Sequence, residues 1–332
     1  MTATEDLPTD PIIFKGIKAL TLADPQQQSL LRLALEGISV YSPHTAVDAA
    51  PGGLGDWLAD IVTGTLPGPE PQTHTAEEGR EQAPTLDESE KRHKSDEQEK
   101  QFKKPSRPSL LQRASTYSKP TYPKASDLDT TSDLNQSEIE HTRSVIIPVE
   151  GVAGHENAGY GRLVEYAEPQ PLTHLIERIA HGVGSPKGFP VAIPQSQQVE
   201  DIIINSVGVC AGSGADILKR CDADLIFTGE LSHHDALRMT EQGKCVVTLF
   251  HSNSERGYLS SVMKDKLTKV LKEEWESVRT GMKAEIDGRD DWNEEWHDAI
   301  KDDDVLVEVS ERDRDPFGVV ILQTKQEGKP LR

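Results

Sequence analysis

The stretch that decides the fold is residues 203–250, IINSVGVCAGSGADILKRCDADLIFTGELSHHDALRMTEQGKCVVTLF. Three nearly continuous apolar runs of strand length lie within it: Ile203–Cys210, Asp224–Thr228 and Cys245–Phe250. Helical segments at 215–221 and 232–242 separate these runs, and a long helix is predicted over 257–278. Apolar strands that alternate with helices are typical of a parallel sheet covered on both faces. The sequence therefore predicts an α/β fold.

The remainder of the second half adds elements on both sides of this stretch. Ser144–Val149 is an apolar run of strand length, and a helix capped by Thr173 is expected after it. A charged surface insertion is expected near 288–304, and Val305–Val309 is expected to close the domain as a strand. We assign residues 143–332 to one α/β domain.

The first 66 residues predict part of another α/β domain. Asp24 followed by proline is a strong helix start, because the carboxylate caps the helix and proline suits its first position. Ile38–Tyr41 is expected to form a short buried strand, and a second helix is expected around 56–62. Few strands are available to pair, so we expect this first domain to be incomplete.

Residues 67–142 differ in composition from the sequence on either side. Glu, Lys, Ser, Gln, Thr and Pro dominate, and apolar residues are sparse. Such a segment buries too little apolar surface to offset the entropy of ordering, about 1–2 kcal/mol per residue. We expect a disordered insertion that acts as a solvated tether, with a docking or phosphorylation segment as the alternative.

The bulk composition excludes several classes of function. The net charge of the 332-residue chain is −20, which disfavours direct nucleic-acid binding because phosphates are bound by Lys and Arg clusters. The three cysteines, Cys210, Cys221 and Cys245, fit neither a disulfide framework nor a CxxC metal site. No segment approaches the roughly 20 apolar residues of a membrane helix, and the N-terminus resembles no signal peptide. We expect a cytoplasmic protein, with a mitochondrial or nuclear pool as the alternative.

Polar side chains follow three neighbouring strands of the predicted sheet. The loop at 212–214 follows the first, Glu230 and His233 follow the second, and His251 and Glu255 follow the third. Ligands of open parallel sheets bind beyond the carboxyl ends of the strands, so this edge is the expected site. The glycine-rich loop would suit an anion, but it lacks the lysine of a P-loop.

The spacing of His251 and Glu255 predicts a metal site. Residues four apart at a helix start face one point, where an imidazole nitrogen and a carboxylate oxygen share a divalent cation. The alternative is an ordinary helix start, capped by Ser254, with an incidental histidine. His44 and Asp48 repeat the spacing, and there the alternative is a simple turn.

Six motifs occur in order along the chain: Tyr41-Ser-Pro-His-Thr-Ala-Val-Asp48, Pro51-Gly-Gly-Leu-Gly-Asp-Trp-Leu58, Gly159-Tyr-Gly-Arg162, Thr228-Gly-Glu-Leu-Ser-His-His-Asp235, His251-Ser-Asn-Ser-Glu-Arg-Gly257 and Asp313-Arg-Asp-Pro-Phe317. With these motifs the chain resembles the Nif-three-like family (NGG-interacting factor; GTP cyclohydrolase I type-two homologues). The resemblance covers most of the chain outside the predicted insertion.

The resemblance implies two similar α/β domains that face each other across a cleft, a ring-shaped homohexamer, and two divalent metal ions in the cleft. The metal ligands of the family fall on Asp48, His251 and Glu255. Zn, Fe, Mn and Mg are not distinguished. The family's further His-Pro ligand motif is absent, and Asp10 stands at that position. We therefore expect an N-terminally truncated member, with Asp10 either an oxygen ligand or unrelated sequence.

Two functions are consistent with these features. The first is a metal-dependent hydrolase of the cyclohydrolase type, with a purine nucleotide as the small-molecule substrate and Glu230, His233 or His44 in proton transfer. The second is a non-catalytic adaptor that binds transcription-related proteins, for which the insertion at 67–142 would be the docking segment.

Overall fold

The computed structural model describes residues 19–65, 138–151, 153–155, 157–286 and 294–320. These ranges all fall within one compact unit. Asp10 and nearly all of the predicted insertion lie outside the described residues, and the division into residues 1–66, 67–142 and 143–332 stays a prediction. None of the helices in the described ranges is long and apolar enough to cross a membrane.

Six strands form the sheet in the described part of the chain, in the order β1-β2-β4-β5-β6-β3. Their bounds are β1 His141–Pro148, β2 Gly159–Pro171, β3 Val191–Ala192, β4 Ile203–Ser213, β5 Leu225–Glu230 and β6 Cys245–Thr248. The first strand begins at His141, so its first two residues coincide with the last two of the segment 67–142.

The sheet is mixed, with a parallel centre. The β4, β5 and β6 strands pair in parallel, whereas β1–β2, β2–β4 and β3–β6 pair antiparallel. The segment 149–158 between β1 and β2 is too short for the helical crossover that a parallel pair needs. The α/β class predicted from residues 203–250 is confirmed.

The helices of the described residues are α1 Pro25–Leu35, α2 Thr45–Ala49, α3 Leu54–Thr63, α4 Leu172–Gly182, α5 Ala215–Leu218, α6 His233–Glu241, α7 Arg256–Tyr258, α8 Lys264–Ile286 and α9 Glu294–Lys301. A π-helical turn, Leu259–Met263, joins α7 to α8. The helix start at Asp24 is confirmed, because its carboxylate accepts the N–H groups of Gln26 and Gln27. The α9 helix lies within the surface insertion expected near 288–304.

Apolar side chains cover both faces of the sheet. On one face, Leu58 of α3 and Leu175 of α4 pack in the same cluster as Phe227 of β5. On the other face, Leu218 of α5 and Met239 of α6 pack with Ile226. Neighbouring residues of β5 thus face opposite sides, as the two-residue period of a strand requires. The helix α3 of the first segment belongs to the same core as the sheet.

Three local predictions are wrong. Ile38–Tyr41 and Val305–Val309 are not strands, and Tyr41 and Leu306 are largely exposed. In the described part of the chain neither segment pairs with a strand, and an apolar run forms a strand only where a neighbour supplies backbone hydrogen bonds. The helix expected to be capped by Thr173 begins two residues earlier, with Pro171 in the cap position.

Candidate metal centre

Each predicted donor pair contains, or comes directly after, a residue with a positive φ, a backbone conformation that L residues rarely adopt. Phe250, just beyond β6, has a φ of 68°, and His251 comes next. His44, at the start of α2, has a φ of 45°, and Asp48 lies on that helix. Non-glycine residues in this region cluster at functional sites because the surrounding structure must hold them there.

The imidazole of His251 lies between two carboxylates. Its Nδ1 is 2.8 Å from Glu230 Oε1, and its Nε2 is 3.5 Å from Glu255 Oε1. When Nδ1–H donates to Glu230, the lone pair of the ring is on Nε2, the nitrogen that can bind a cation on the Glu255 side. A carboxylate on the far ring nitrogen is the usual partner that orients a metal-binding histidine.

Gly212 leaves the space that this arrangement needs. Its φ is +58°, and a Cβ there would lie 2.9 Å from His251 Nε2 and 3.0 Å from Glu255 Oε1. The Gly212 N–H donates to the buried Ser254 hydroxyl at 2.8 Å, and that hydroxyl donates to the His251 carbonyl at 2.7 Å. Because this N–H already has an acceptor, the loop at 212–214 has one donor fewer for an anion.

The charges of Asp48 and Glu255 both act on the buried thiol of Cys210. Burial raises the pKa of Cys210 to about 12, and the negative charges of Asp48 and Glu255 contribute to the rise. Both carboxylates therefore lie within electrostatic reach of one thiol. Val47 and Ala49 are buried on either side of Asp48 and anchor α2.

The donor set suits a divalent cation in part. His251 offers a neutral nitrogen, and Glu255, only 7% exposed, offers a carboxylate oxygen; this combination binds Zn, Mn and Fe. Within the described ranges, however, no group of three or more His, Cys, Asp and Glu side chains is arranged to hold a metal ion. The residues therefore fit half of a metal site, with Asp48 near it.

The two other histidines proposed for catalysis occupy different settings. His44 is the residue before α2, and its side chain makes no capping hydrogen bond. His233 begins α6, and its ring packs edge-on to His234 with 5.5 Å between centroids. Ser232 caps that helix by accepting the N–H of Asp235. His233 thus lies in the first turn of an ordinary capped helix.

Sequence analysis missed the role of one buried ion pair. Arg162 of β2 is 2% exposed and donates to both carboxylate oxygens of Asp56 on α3, at 2.7 and 3.1 Å. Burial acts to raise the pKa of Asp56, but the hydrogen bond and charge of Arg162 outweigh it, so the pKa is lowered. An arginine in an apolar strand was the available signal, because such a residue is buried only with a partner.

Sequence analysis also missed a buried carboxylate near the end of the chain. Asp315 is 5% exposed, and its carboxylate accepts the backbone N–H groups of Ser252 and Phe317 at 3.0 and 2.9 Å. Ser252 is the residue after His251. The terminal motif therefore contacts the loop that carries the metal donors.

Comparison with known proteins identifies the family. The sequence profile of Duf34/NIF3 (NGG1p interacting factor 3) matches residues 10–285 of the chain. The chain belongs to the Duf34/NIF3 family. This result confirms the resemblance drawn from the six motifs.

Two fungal NIF3 proteins illustrate the similarity. The "Protein NIF3 homolog" of Schizosaccharomyces pombe is 34% identical over 264 residues, which span 80% of this chain and 67% of that protein. The "NGG1-interacting factor 3" of Saccharomyces cerevisiae is 30% identical over 257 residues, which span 76% of this chain and 64% of that protein. The chain thus spans about two thirds of the length of these relatives.

Two solved structures illustrate the similarity at the level of structure. The Bacillus cereus protein related to NIF3 has a TM-score of 0.48 and 16% identity, and the match covers 93% of this chain and 81% of that one. Reduced HcgD from Methanocaldococcus jannaschii has a TM-score of 0.42 and 16% identity, with coverages of 79% and 67%.

Proposed function

We propose that this NIF3-family chain binds divalent metal ions through His251 and Glu255, with Asp48 as a third ligand, and acts as a metal-dependent hydrolase. The observation that carries the proposal is the His251 ring, held by Glu230 on one nitrogen with Glu255 near the other. A histidine that served only as a capping residue would have no need of two carboxylates.

The charges around the ring favour a cation. Glu255 is buried, and buried carboxylates are usually paired with a positive group or bound to a metal ion. The negative charges of Asp48 and Glu255 both act on the buried thiol of Cys210. A bound divalent ion would activate a water molecule and polarise the substrate. The substrate class that we propose is a purine nucleotide.

The chain's own residues would divide the remaining work. Glu230 keeps the His251 ring in one orientation through Nδ1. His44 is the better candidate for proton transfer, because it lies one turn before Asp48, whereas the His233 ring packs on His234. A histidine suits this role because its pKa lies near neutral pH.

Metal content per chain, measured by mass spectrometry, tests the proposal. We expect the chain to carry divalent metal and His251→Ala to lose it. His155→Ala is the matched control, since it removes an exposed loop histidine and leaves the site intact. Equal metal content in all three proteins, or none in the unchanged chain, would overturn the proposed site.

A second function, as an adaptor, is favoured by the name of the yeast relative, "NGG1-interacting factor 3". The α1 helix has no buried residue, and Leu35 and Tyr41 are exposed apolar side chains in the same segment. An adaptor is expected to lose partner binding on deletion of residues 67–142 and to keep it in His251→Ala. A hydrolase is expected to show the opposite dependence in its turnover.

A further inference from the structure

The segment 310–317, which we name the C-terminal strap, contacts the loop 251–256 that carries His251 and Glu255. Asp315 of the strap accepts the N–H of Ser252 at 3.0 Å. Arg256 donates to the Ser310 carbonyl at 2.8 Å and forms an ion pair with Asp313.

The strap contacts flank each metal donor. Ser252 directly follows His251, and Arg256 directly follows Glu255. The residue before His251 is contacted as well, because the rings of Phe250 and Phe317 lie 6.1 Å apart. The strap therefore contacts the residues immediately before and after His251, and the residue immediately after Glu255.

The loop needs such external support. Its only regular element before α7 is the 3-10 turn Ser252–Ser254, and a turn of three residues is not stable by itself. It also follows Phe250, whose φ of 68° is maintained only where neighbouring contacts fix the backbone. In the described structure the strap supplies contacts of this kind.

We propose that Asp315 is a positioning residue, and that the C-terminal strap sets the separation of the His251 ring and the Glu255 carboxylate for a shared cation. This inference rests on the proposed metal binding at that pair. Asp315 contacts neither donor side chain. It acts through the Ser252 N–H, whereas on the other side of the loop the guanidinium of Arg256 binds Ser310 and Asp313 of the strap.

Titration with Co²⁺, followed by its visible absorption, tests the inference in the Asp315→Asn variant. An amide accepts through one oxygen only, so it cannot satisfy both the Ser252 and the Phe317 N–H groups. The matched control is Asp224→Asn. That carboxylate also accepts two backbone N–H groups, from Asn205 and Ser206, but it precedes β5, at the strand end opposite Glu230.

We expect Asp315→Asn to weaken Co²⁺ binding about 10–100-fold, the usual effect of losing support for a ligand, and to change the absorption spectrum. Asp224 accepts both of its N–H groups through one oxygen, which an amide keeps, so Asp224→Asn removes the charge alone and is expected to bind Co²⁺ as the unchanged chain does. Equal affinity and spectrum in Asp315→Asn and the unchanged chain would overturn the inference, and so would an equal loss of affinity in Asp224→Asn.

A metal-free measurement separates this inference from the proposed function. Nitrogen NMR of the histidine rings reports the His251 tautomer, which we expect to be fixed in the unchanged chain and mixed in Asp315→Asn. If the unchanged chain binds no Co²⁺, the proposed function fails. The His251 tautomer then tests the positioning role of the strap without a metal ion. Identical ring signals in the two proteins would overturn that role.

Discussion

The two halves of the candidate metal centre are supported in different ways. The His251–Glu255 half follows β6, and hydrogen bonds from Glu230 and Ser254 fix it locally. The His44–Asp48 half lies at the start of the five-residue helix α2, where the side chain of His44 makes no capping hydrogen bond. The first half is therefore held by polar contacts to the sheet edge, and the second by the packing of its own helix.

A buried ion pair lies close to the backbone of Asp48 and links α3 to β2. A Cβ on Gly55 would lie 3.2 Å from the Asp48 carbonyl oxygen and 3.3 Å from Arg162 Nη1, and Arg162 in turn binds Asp56 of α3. The His251–Glu255 half is thus built into the edge of the sheet. The His44–Asp48 half depends on an ion pair between α3 and β2, so we expect a variant that disrupts one half to leave the other intact.

Breaking that ion pair has the largest expected effect. Arg162→Met leaves Asp56 partly buried without its main partner, and we expect the free energy of unfolding to fall by about 3–5 kcal/mol. Urea unfolding followed by circular dichroism measures this loss.

Arg143→Met is the matched control for Arg162. Arg143 is on the neighbouring strand β1 and pairs with Asp60 on the same helix α3, but its side chain is 23% exposed. We expect a clearly smaller loss, since solvent screens the more exposed pair. Equal losses of unfolding free energy in the two variants would show that burial does not make the Arg162 pair more important than the Arg143 pair. The proposed dependence of the His44–Asp48 half on Arg162 would then be wrong.

The next effect concerns the His251–Glu255 half alone. Gly212→Ala places a Cβ against both donors and imposes a left-handed backbone on alanine, which costs about 1–2 kcal/mol. We expect that loss of stability together with loss of Co²⁺ binding. Gly243→Ala has the same backbone cost, at a φ of +85°, but no atom within 4 Å. It is expected to lose stability and keep Co²⁺ binding, whereas intact binding in Gly212→Ala would contradict the site.

The parts of this protein that were predictable from sequence are those fixed by local pattern. Apolar runs between residues 203 and 250 gave the parallel strands, and the same runs placed Glu230 and His251 at one edge of the sheet. Ile38–Tyr41 has a similar apolar pattern, yet it is not a strand, because pairing depends on a neighbour that the local sequence does not specify.

The supporting residues of the site were not predictable for the same reason. Arg162 and Asp56 are separated by 106 positions, and Asp315 and Ser252 by 63. Their partners are set by the tertiary fold, so a buried charge in the sequence signals only that some partner exists.

The smallest expected effect is a difference in acid sensitivity between two carboxylates one turn apart on α3. The pKa of Asp56 is lowered because Arg162 outweighs the effect of burial, whereas the pKa of Asp60 is raised because burial outweighs Arg143. Asp56 therefore stabilises the fold above its unfolded pKa, and that contribution is lost as the pH falls through the folded value. Asp60 has the opposite sign, because its folded form takes up a proton more readily than the unfolded chain.

Urea unfolding between pH 2.5 and 6 measures both contributions. We expect the stability of Asp56→Asn to fall less steeply toward acid than that of the unchanged chain, and the stability of Asp60→Asn to fall more steeply. Parallel pH profiles for the two variants would mean that Arg162 and Arg143 hold their partners equally. The α2–α3 half would then not depend on Arg162 in particular, and the contrast between the two halves would rest on Gly212 and the strap alone.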